Sequence, residues 1–136
     1  MMTSTTIVRA WQVQQSIVIP DTVRLWLHAE GAAALVAAGI TYNALGGNWW
    51  LFLPLLLLPD ISAVGYMAGP RLGAFTYNIV HNWVVGLATL GLGLWLASDG
   101  LLIAGTLLIA HVGLDRMLGY GLKHVTGFKD THLQRA

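Results

Sequence analysis

The chain has 136 residues, of which 56% are hydrophobic and only 10% are charged, and its formal net charge is +1. Soluble domains carry about 25% charged residues, so this composition excludes an ordinary soluble globular domain and is typical of a chain that lies in lipid. The small net charge gives no reason to expect nucleic-acid binding, and the absence of cysteine excludes disulfides and thiolate metal sites.

Residues 1–24 mix polar and apolar side chains, and we interpret them as an N-terminal lead-in that is a candidate interfacial segment. Arg9 is the only basic residue before Pro20, and the apolar stretch 17–19 is too short for the core of a signal peptide. We therefore expect the first spanning helix to direct insertion by itself.

Four apolar stretches follow, and each is close to the roughly 20 residues that a helix needs to cross a hydrocarbon core. They cover residues 25–45, 49–68, 72–97 and 101–122. No period-two alternation of the kind that marks strands is visible. The sequence therefore predicts an all-α integral membrane domain over residues 25–122, a four-helix up-down bundle joined by short turns.

Pro59 lies inside the second stretch, where it predicts a kink or a break that frees backbone groups for other partners. Residues 123–136 follow the last stretch, and we expect them to form a cytoplasmic C-terminal tail.

Basic residues predict the orientation of the bundle. They precede the first stretch, lie between the second and third, or follow the fourth: Arg9, Arg24, Arg71, Lys123, Lys129 and Arg135. The turns at 46–48 and 98–100 contain no Lys or Arg. We therefore predict that both termini are cytoplasmic in a multi-pass protein of the inner (plasma) membrane. The expected partner is the lipid bilayer, and a homo-oligomer is compatible with the glycine-rich stretches.

Four ionisable residues interrupt the apolar stretches: Asp60, His81, His111 and Asp115. A carboxylate at the bilayer centre costs about 2.5–3.5 kcal/mol, so the folded protein must offset that cost. Counted at 1.5 Å per residue from the basic interface, all four fall roughly 12 to 18 Å deep. Glu30 is shallower, at roughly 9 Å.

The positions of these residues around their helices are also consistent with a shared site. His111 and Asp115 are four residues apart, so they project from one side of their helix. A polar stripe at helical spacing accompanies His81, and Tyr66 is a candidate hydrogen-bond donor to the ionisable residues at this depth. The supporting polar residues are Tyr66, Tyr77, Asn78 and Asn82.

Three hypotheses account for these ionisable residues at a common depth in the membrane. In the first, Asp60, His81, His111 and Asp115 bind a divalent metal such as Zn, Fe or Mn, with Glu30 as an additional candidate ligand, and the metal activates water for hydrolysis. In the second, these groups form a proton or ion path, or part of a small transporter. In the third, they only fix helix packing through hydrogen bonds. Since no regular metalloenzyme motif is present, the sequence leaves enzymatic activity undecided.

Several segments resemble a family of prokaryotic membrane proteins, the domain-of-unknown-function family 4260. The resemblance covers roughly residues 27–133. It is carried by segments 58–62, 65–71, 110–116, 118–123 and 127–133, together with Tyr77, Asn78 and His81. It implies a small multi-pass architecture and draws attention to Asp60, His81, His111 and Asp115, but it implies no reaction.

Overall fold

The computed structural model describes residues 20–134. The lead-in expected at 1–24 lies almost wholly outside them. The described residues form five α-helices and one 3-10 helix, and they contain no β-strand. In chain order these are α1 (Pro20–Ala44), α2 (Trp49–Leu56), the 3-10 helix (Leu58–Ala68), α3 (Pro70–Val80), α4 (Trp83–Leu96) and α5 (Asp99–Met117).

These helices make up four stretches that are long and apolar enough to cross a membrane. The stretches are Thr22–Ala44, Trp49–Ala68, Pro70–Leu96 and Asp99–Met117. The prediction of an all-α chain with four such stretches is confirmed. Large apolar side chains are widely exposed, including Trp50 at 90% and Met67 at 88%. A protein surface of this kind requires an apolar surrounding such as lipid.

Helix α5 is the central element, because it packs extensively against both α1 and α4 and also contacts α2. Glycines permit these close approaches. A Cβ atom at Gly113 would lie 2.8 Å from the backbone oxygen of Gly31 in α1, and one at Gly105 would lie 2.5 Å from the backbone nitrogen of Leu90 in α4. The centre of the fold therefore depends on backbone-to-backbone contact.

The predicted break in the second stretch is present at Pro59. Helix α2 ends at Leu56, and the chain continues from Leu58 as a 3-10 helix. The amide of Asp60 donates to the carbonyl of Leu57, three residues earlier, at 3.2 Å. Because proline has no N–H, residue 59 cannot donate to the carbonyl of Leu56 in this register. That carbonyl is left for another partner.

The third stretch, expected as one helix over 72–97, is divided at His81 and Asn82. Helix α3 ends at Val80 and α4 begins at Trp83. Asn82 adopts extended backbone angles, and its side-chain oxygen accepts a hydrogen bond from the amide of Val85 at 3.1 Å. The prediction of a continuous helix was wrong because an asparagine that caps a new helix competes with the continuing backbone ladder.

The fourth stretch also ends earlier than expected, at Met117 instead of 122, and Gly119 follows with a φ of +86°. Residues 118–134 then fold back onto the bundle. Leu133 is only 1% exposed, and Lys123 and Thr131 form an isolated antiparallel bridge. Residues 123–134, most of the segment that we expected to form a cytoplasmic tail, are thus packed against the helices.

Candidate metal centre

Three of the predicted ligands converge from three different stretches of the chain. Asp60 lies on the 3-10 helix, His81 at the break between α3 and α4, and His111 on α5. One ligand atom from each lies within 4.8 Å of the other two. Asp60 Oδ1 is 3.3 Å from His81 Nε2 and 3.6 Å from His111 Nε2. Asp60, His81 and His111, which the sequence placed at a common depth, are thus close to one another in the structure.

Both imidazoles are buried and are held by backbone carbonyls. His81 is 2% exposed and His111 is 1% exposed. His81 Nδ1 lies 2.8 Å from the carbonyl oxygen of Tyr77, and His111 Nδ1 lies 2.7 Å from that of Leu56. The carbonyl of Leu56 is the one that Pro59 leaves without a helical donor. The proline break therefore orients a histidine on another helix.

These hydrogen bonds determine which ring nitrogens face Asp60. A carbonyl oxygen only accepts, so each Nδ1 must carry the hydrogen, and in the neutral ring Nε2 then presents its lone pair. Both lone pairs point toward a carboxylate oxygen, which is repulsive unless a cation stabilises the group. His111 Nε2 is buried and has no hydrogen-bond partner among the described residues. The arrangement favours either a metal ion or added protons at this position.

Asp115, the fourth predicted ligand, lies at the edge of this group. Its Oδ2 atom is 4.0 Å from His111 Nε2 and accepts a hydrogen bond from the Tyr77 hydroxyl at 2.8 Å. The ring of Tyr77 stacks on His81, with a centroid separation of 3.5 Å. Tyr77 thus links Asp115 to the compact three-residue group.

The other predicted residues have different positions. Asn78 bonds the backbone of Lys123, and Asn82 caps α4. The Tyr66 hydroxyl makes no hydrogen bond within the described chain, and its ring packs against Phe128 at 5.2 Å. Glu30 is exposed on α1 and is not part of the compact group. Tyr77 is therefore the supporting residue that contacts the candidate ligands most directly.

A cleft with a volume of about 310 Å³ opens beside the group. Asp60, whose side chain is 51% exposed, lines it together with Tyr77 and Asp115. Tyr120, Lys123 and Phe128 of the folded-back segment also line it. Lys123 and Phe128 were not predicted as residues of the site, because we expected the segment to form a tail. Phe128 itself is 51% exposed, and no local pattern in the sequence indicated that the segment packs.

Comparison with known families gives a match to the model described as "Domain of unknown function (DUF4260)", over residues 24–136. Comparison with curated proteins and with solved structures gives no match. The segments that suggested this family from the sequence include Asp60, His81, His111 and Asp115.

Proposed function

The chain belongs to the family of the domain of unknown function 4260, and from the geometry of its own residues we propose that it is a multi-pass membrane protein that binds one divalent metal ion. In this proposal Asp60, His81 and His111 supply the ligands, and the metal serves a hydrolytic reaction inside the membrane. The single observation that carries the proposal is the convergence of two carbonyl-fixed imidazoles on one carboxylate oxygen.

The proposed topology is a four-helix up-down bundle in the inner membrane with both termini in the cytoplasm. Arg71 and the basic residues after α5 would then lie on the cytoplasmic side. Two exposed tryptophans at the opposite turns, Trp50 at 90% and Trp95 at 81%, fit the other interface, where indole rings are enriched.

The donor set supports a metal in two ways. Two imidazoles and a carboxylate suit Zn, Fe or Mn, and three protein ligands leave a coordination position for water or substrate, as in catalytic zinc sites. In addition, metal-binding histidines usually donate their second ring N–H to a carbonyl or a carboxylate. His81 and His111 both have a carbonyl in that position.

The surrounding residues suit a hydrolytic role. A metal at this position would lower the pKa of bound water toward neutrality. Asp115 lies beside His111 and is oriented by the Tyr77 hydroxyl, so it is placed to accept a proton from the attacking water. The exposed edge of Asp60 faces the cleft through which a substrate would enter.

The alternative of a proton or ion path is less well supported. Pro59 and Val80, which directly precede Asp60 and His81 in the chain, line an apolar groove whose wall also includes Leu107. A path would need polar groups or water to continue beyond the cluster toward that groove. The structural alternative, in which the cluster only fixes packing, requires added protons on the buried imidazoles so that Nε2 can donate to Asp60.

Elemental analysis of the protein purified in detergent tests the proposal. We expect one Zn, Fe or Mn ion per chain, and loss of that ion in His81→Ala and His111→Ala. His124→Ala removes a histidine outside the cluster and should leave the metal content unchanged. A metal-free wild-type protein that conducts protons in liposomes would instead support the path. A metal-free protein without conduction would leave packing as the role of the cluster.

A further inference from the structure

Lys123 occupies an unusual position for a lysine, because it lies in the wall of the cleft and is only 6% exposed. Its ammonium group lies over three aromatic rings, 4.2 Å from the ring centre of Phe128, 4.9 Å from that of Tyr77 and 5.7 Å from that of Tyr120. Among the side chains of residues 22–134, no carboxylate lies close enough to form an ion pair with it. Burial lowers the pKa of Lys123, and the charges of Asp115 and Asp60 oppose this effect.

The backbone of Lys123 is anchored to α3 at two points. The side-chain oxygen of Asn78 accepts from the Lys123 amide at 2.7 Å, and the Asn78 amide group donates to the Lys123 carbonyl at 2.9 Å. This pairing joins residues 45 positions apart in the sequence. The ammonium is therefore held at the cleft by a built structure and does not sit there as a free surface lysine.

The charge of the cleft depends on the proposed metal. A divalent ion would be offset by the carboxylates of Asp60 and Asp115. The buried cation Lys123 would then remain as an excess of positive charge. A positively charged, partly desolvated cleft next to a metal favours an oxyanion such as a phosphate group.

An apolar groove with a volume of about 460 Å³ lies next to the same centre. Pro59 and Val80 line it, and they directly precede the candidate ligands Asp60 and His81 in the chain. Along α5 the groove runs from Gly100 to Leu108, which is roughly 12 Å at the rise of an α-helix. A groove of this length suits part of a lipid chain whose polar head lies at the metal centre.

We infer that the ligand of this centre is a lipid with an anionic phosphate headgroup, which places its phosphate between the metal and Lys123 and a chain in the groove from Gly100 to Leu108. The inference rests on the proposed function, since it requires the metal. Lys123 is a ligand-binding residue in this arrangement, because its ammonium group would contact the phosphate and select the charge of the headgroup.

Titration of the Co²⁺-loaded protein in neutral detergent tests the inference, with the visible spectrum of the metal as the readout. The probes are dioctanoyl phosphatidic acid, dioctanoylglycerol and inorganic phosphate. We expect phosphatidic acid to change the spectrum at the lowest concentration and dioctanoylglycerol to leave it unchanged. Lys123→Gln should weaken the effect of phosphatidic acid about tenfold or more, the scale for loss of one charge-assisted contact. Lys123→Arg should retain most of the effect.

Two further variants separate the headgroup from the chain. Lys129→Gln removes an exposed lysine of the same segment and should bind like the wild type. Ala104→Phe fills the groove, so it should weaken phosphatidic acid binding and leave inorganic phosphate binding unchanged. Uptake of Co²⁺ by Lys123→Gln and Ala104→Phe shows that these variants are folded.

The outcomes distinguish the two proposals. A protein that takes up no Co²⁺ would overturn the proposed function. If the protein takes up Co²⁺ normally but phosphatidic acid does not change the spectrum, only the lipid inference is overturned. The same holds if dioctanoylglycerol changes the spectrum as much as phosphatidic acid does. Equal potency of inorganic phosphate and phosphatidic acid, with no effect of Ala104→Phe, would assign the site to free phosphate and would also contradict it.

Discussion

The Nδ1 atom of His111 lies 2.7 Å from the carbonyl oxygen of Leu56, which belongs to a different membrane-capable stretch. The carbonyl is available because residue 59 is a proline, and the hydrogen bond turns Nε2 of His111 toward Asp60. A helix break and a candidate ligand are thus parts of one arrangement. The break follows from the local sequence, whereas His111, which uses the freed carbonyl, lies 55 residues from Leu56 in the chain.

Substitution of Pro59 should weaken metal binding without removing any ligand. In Pro59→Ala, the new N–H at residue 59 competes with His111 for the carbonyl of Leu56. Loss of a supporting contact of this kind typically lowers metal affinity about 10–100-fold. Competition with a chelator measures the affinity. Pro54→Ala is the matched control, since Pro54 lies inside α2 and away from this contact. Equal affinities of the two variants would contradict the role assigned to Pro59.

Contact between α1 and α5 should be sensitive to a single methyl group. A Cβ atom at Gly113 would meet the backbone oxygen of Gly31 and the backbone nitrogen of Leu35, both at 2.8 Å. Gly113→Ala should therefore cost about 1–3 kcal/mol of stability, as overpacking usually does. Thermal unfolding in detergent measures the change. Gly91 of α4 has open space around it, so Gly91→Ala should be neutral or stabilising by up to about 1 kcal/mol. Similar losses of stability in Gly113→Ala and Gly91→Ala would show that the close approach of α1 and α5 does not determine the effect.

Acidification should loosen the folded-back segment through His132. Its Nδ1 atom accepts a hydrogen bond from the Leu122 amide at 2.9 Å. Burial is the main cause that lowers the pKa of His132, and the charge of Arg116 adds to it. The folded segment therefore prefers the neutral ring. Above the ordinary pKa of about 6.5 both states are neutral; as the pH falls below it, the unfolded segment binds the proton first, and stability is lost down to the folded pKa.

Hydrogen exchange of residues 118–134 between pH 7 and pH 5 measures this effect, after correction for the intrinsic pH dependence of exchange. Protection should decrease toward pH 5 in the wild type. In His132→Asn, whose amide oxygen replaces the accepting nitrogen, protection should be nearly independent of pH. His124→Asn, in the same segment, should keep most of the pH dependence, because His124 is the smallest of the causes that act on the pKa of His132. The same pH dependence in His132→Asn as in the wild type would assign the effect to another group.

Some of these relationships were predictable from the sequence, and others were not. The four apolar stretches, the break at Pro59 and the shared depth of Asp60, His81 and His111 follow from local composition and from the rise of a helix. The break at His81 was not predictable from hydropathy, because the apolar pattern continues through it and only the capping side chain of Asn82 marks it. The packing of residues 118–134 depends on long-range bonds such as that between Asn78 and Lys123, which no local pattern encodes.

Anomalous diffraction from crystals of the metal-loaded protein tests the central claim most directly. Data collected at the absorption edge of the metal found by elemental analysis should give one strong peak, bonded to Nε2 of both His81 and His111 at about 2.0–2.1 Å if the ion is zinc. The peak should also contact a carboxylate oxygen of Asp60. A peak bound elsewhere, or histidine Nε2 atoms bonded only to protons and protein oxygens, would contradict the account.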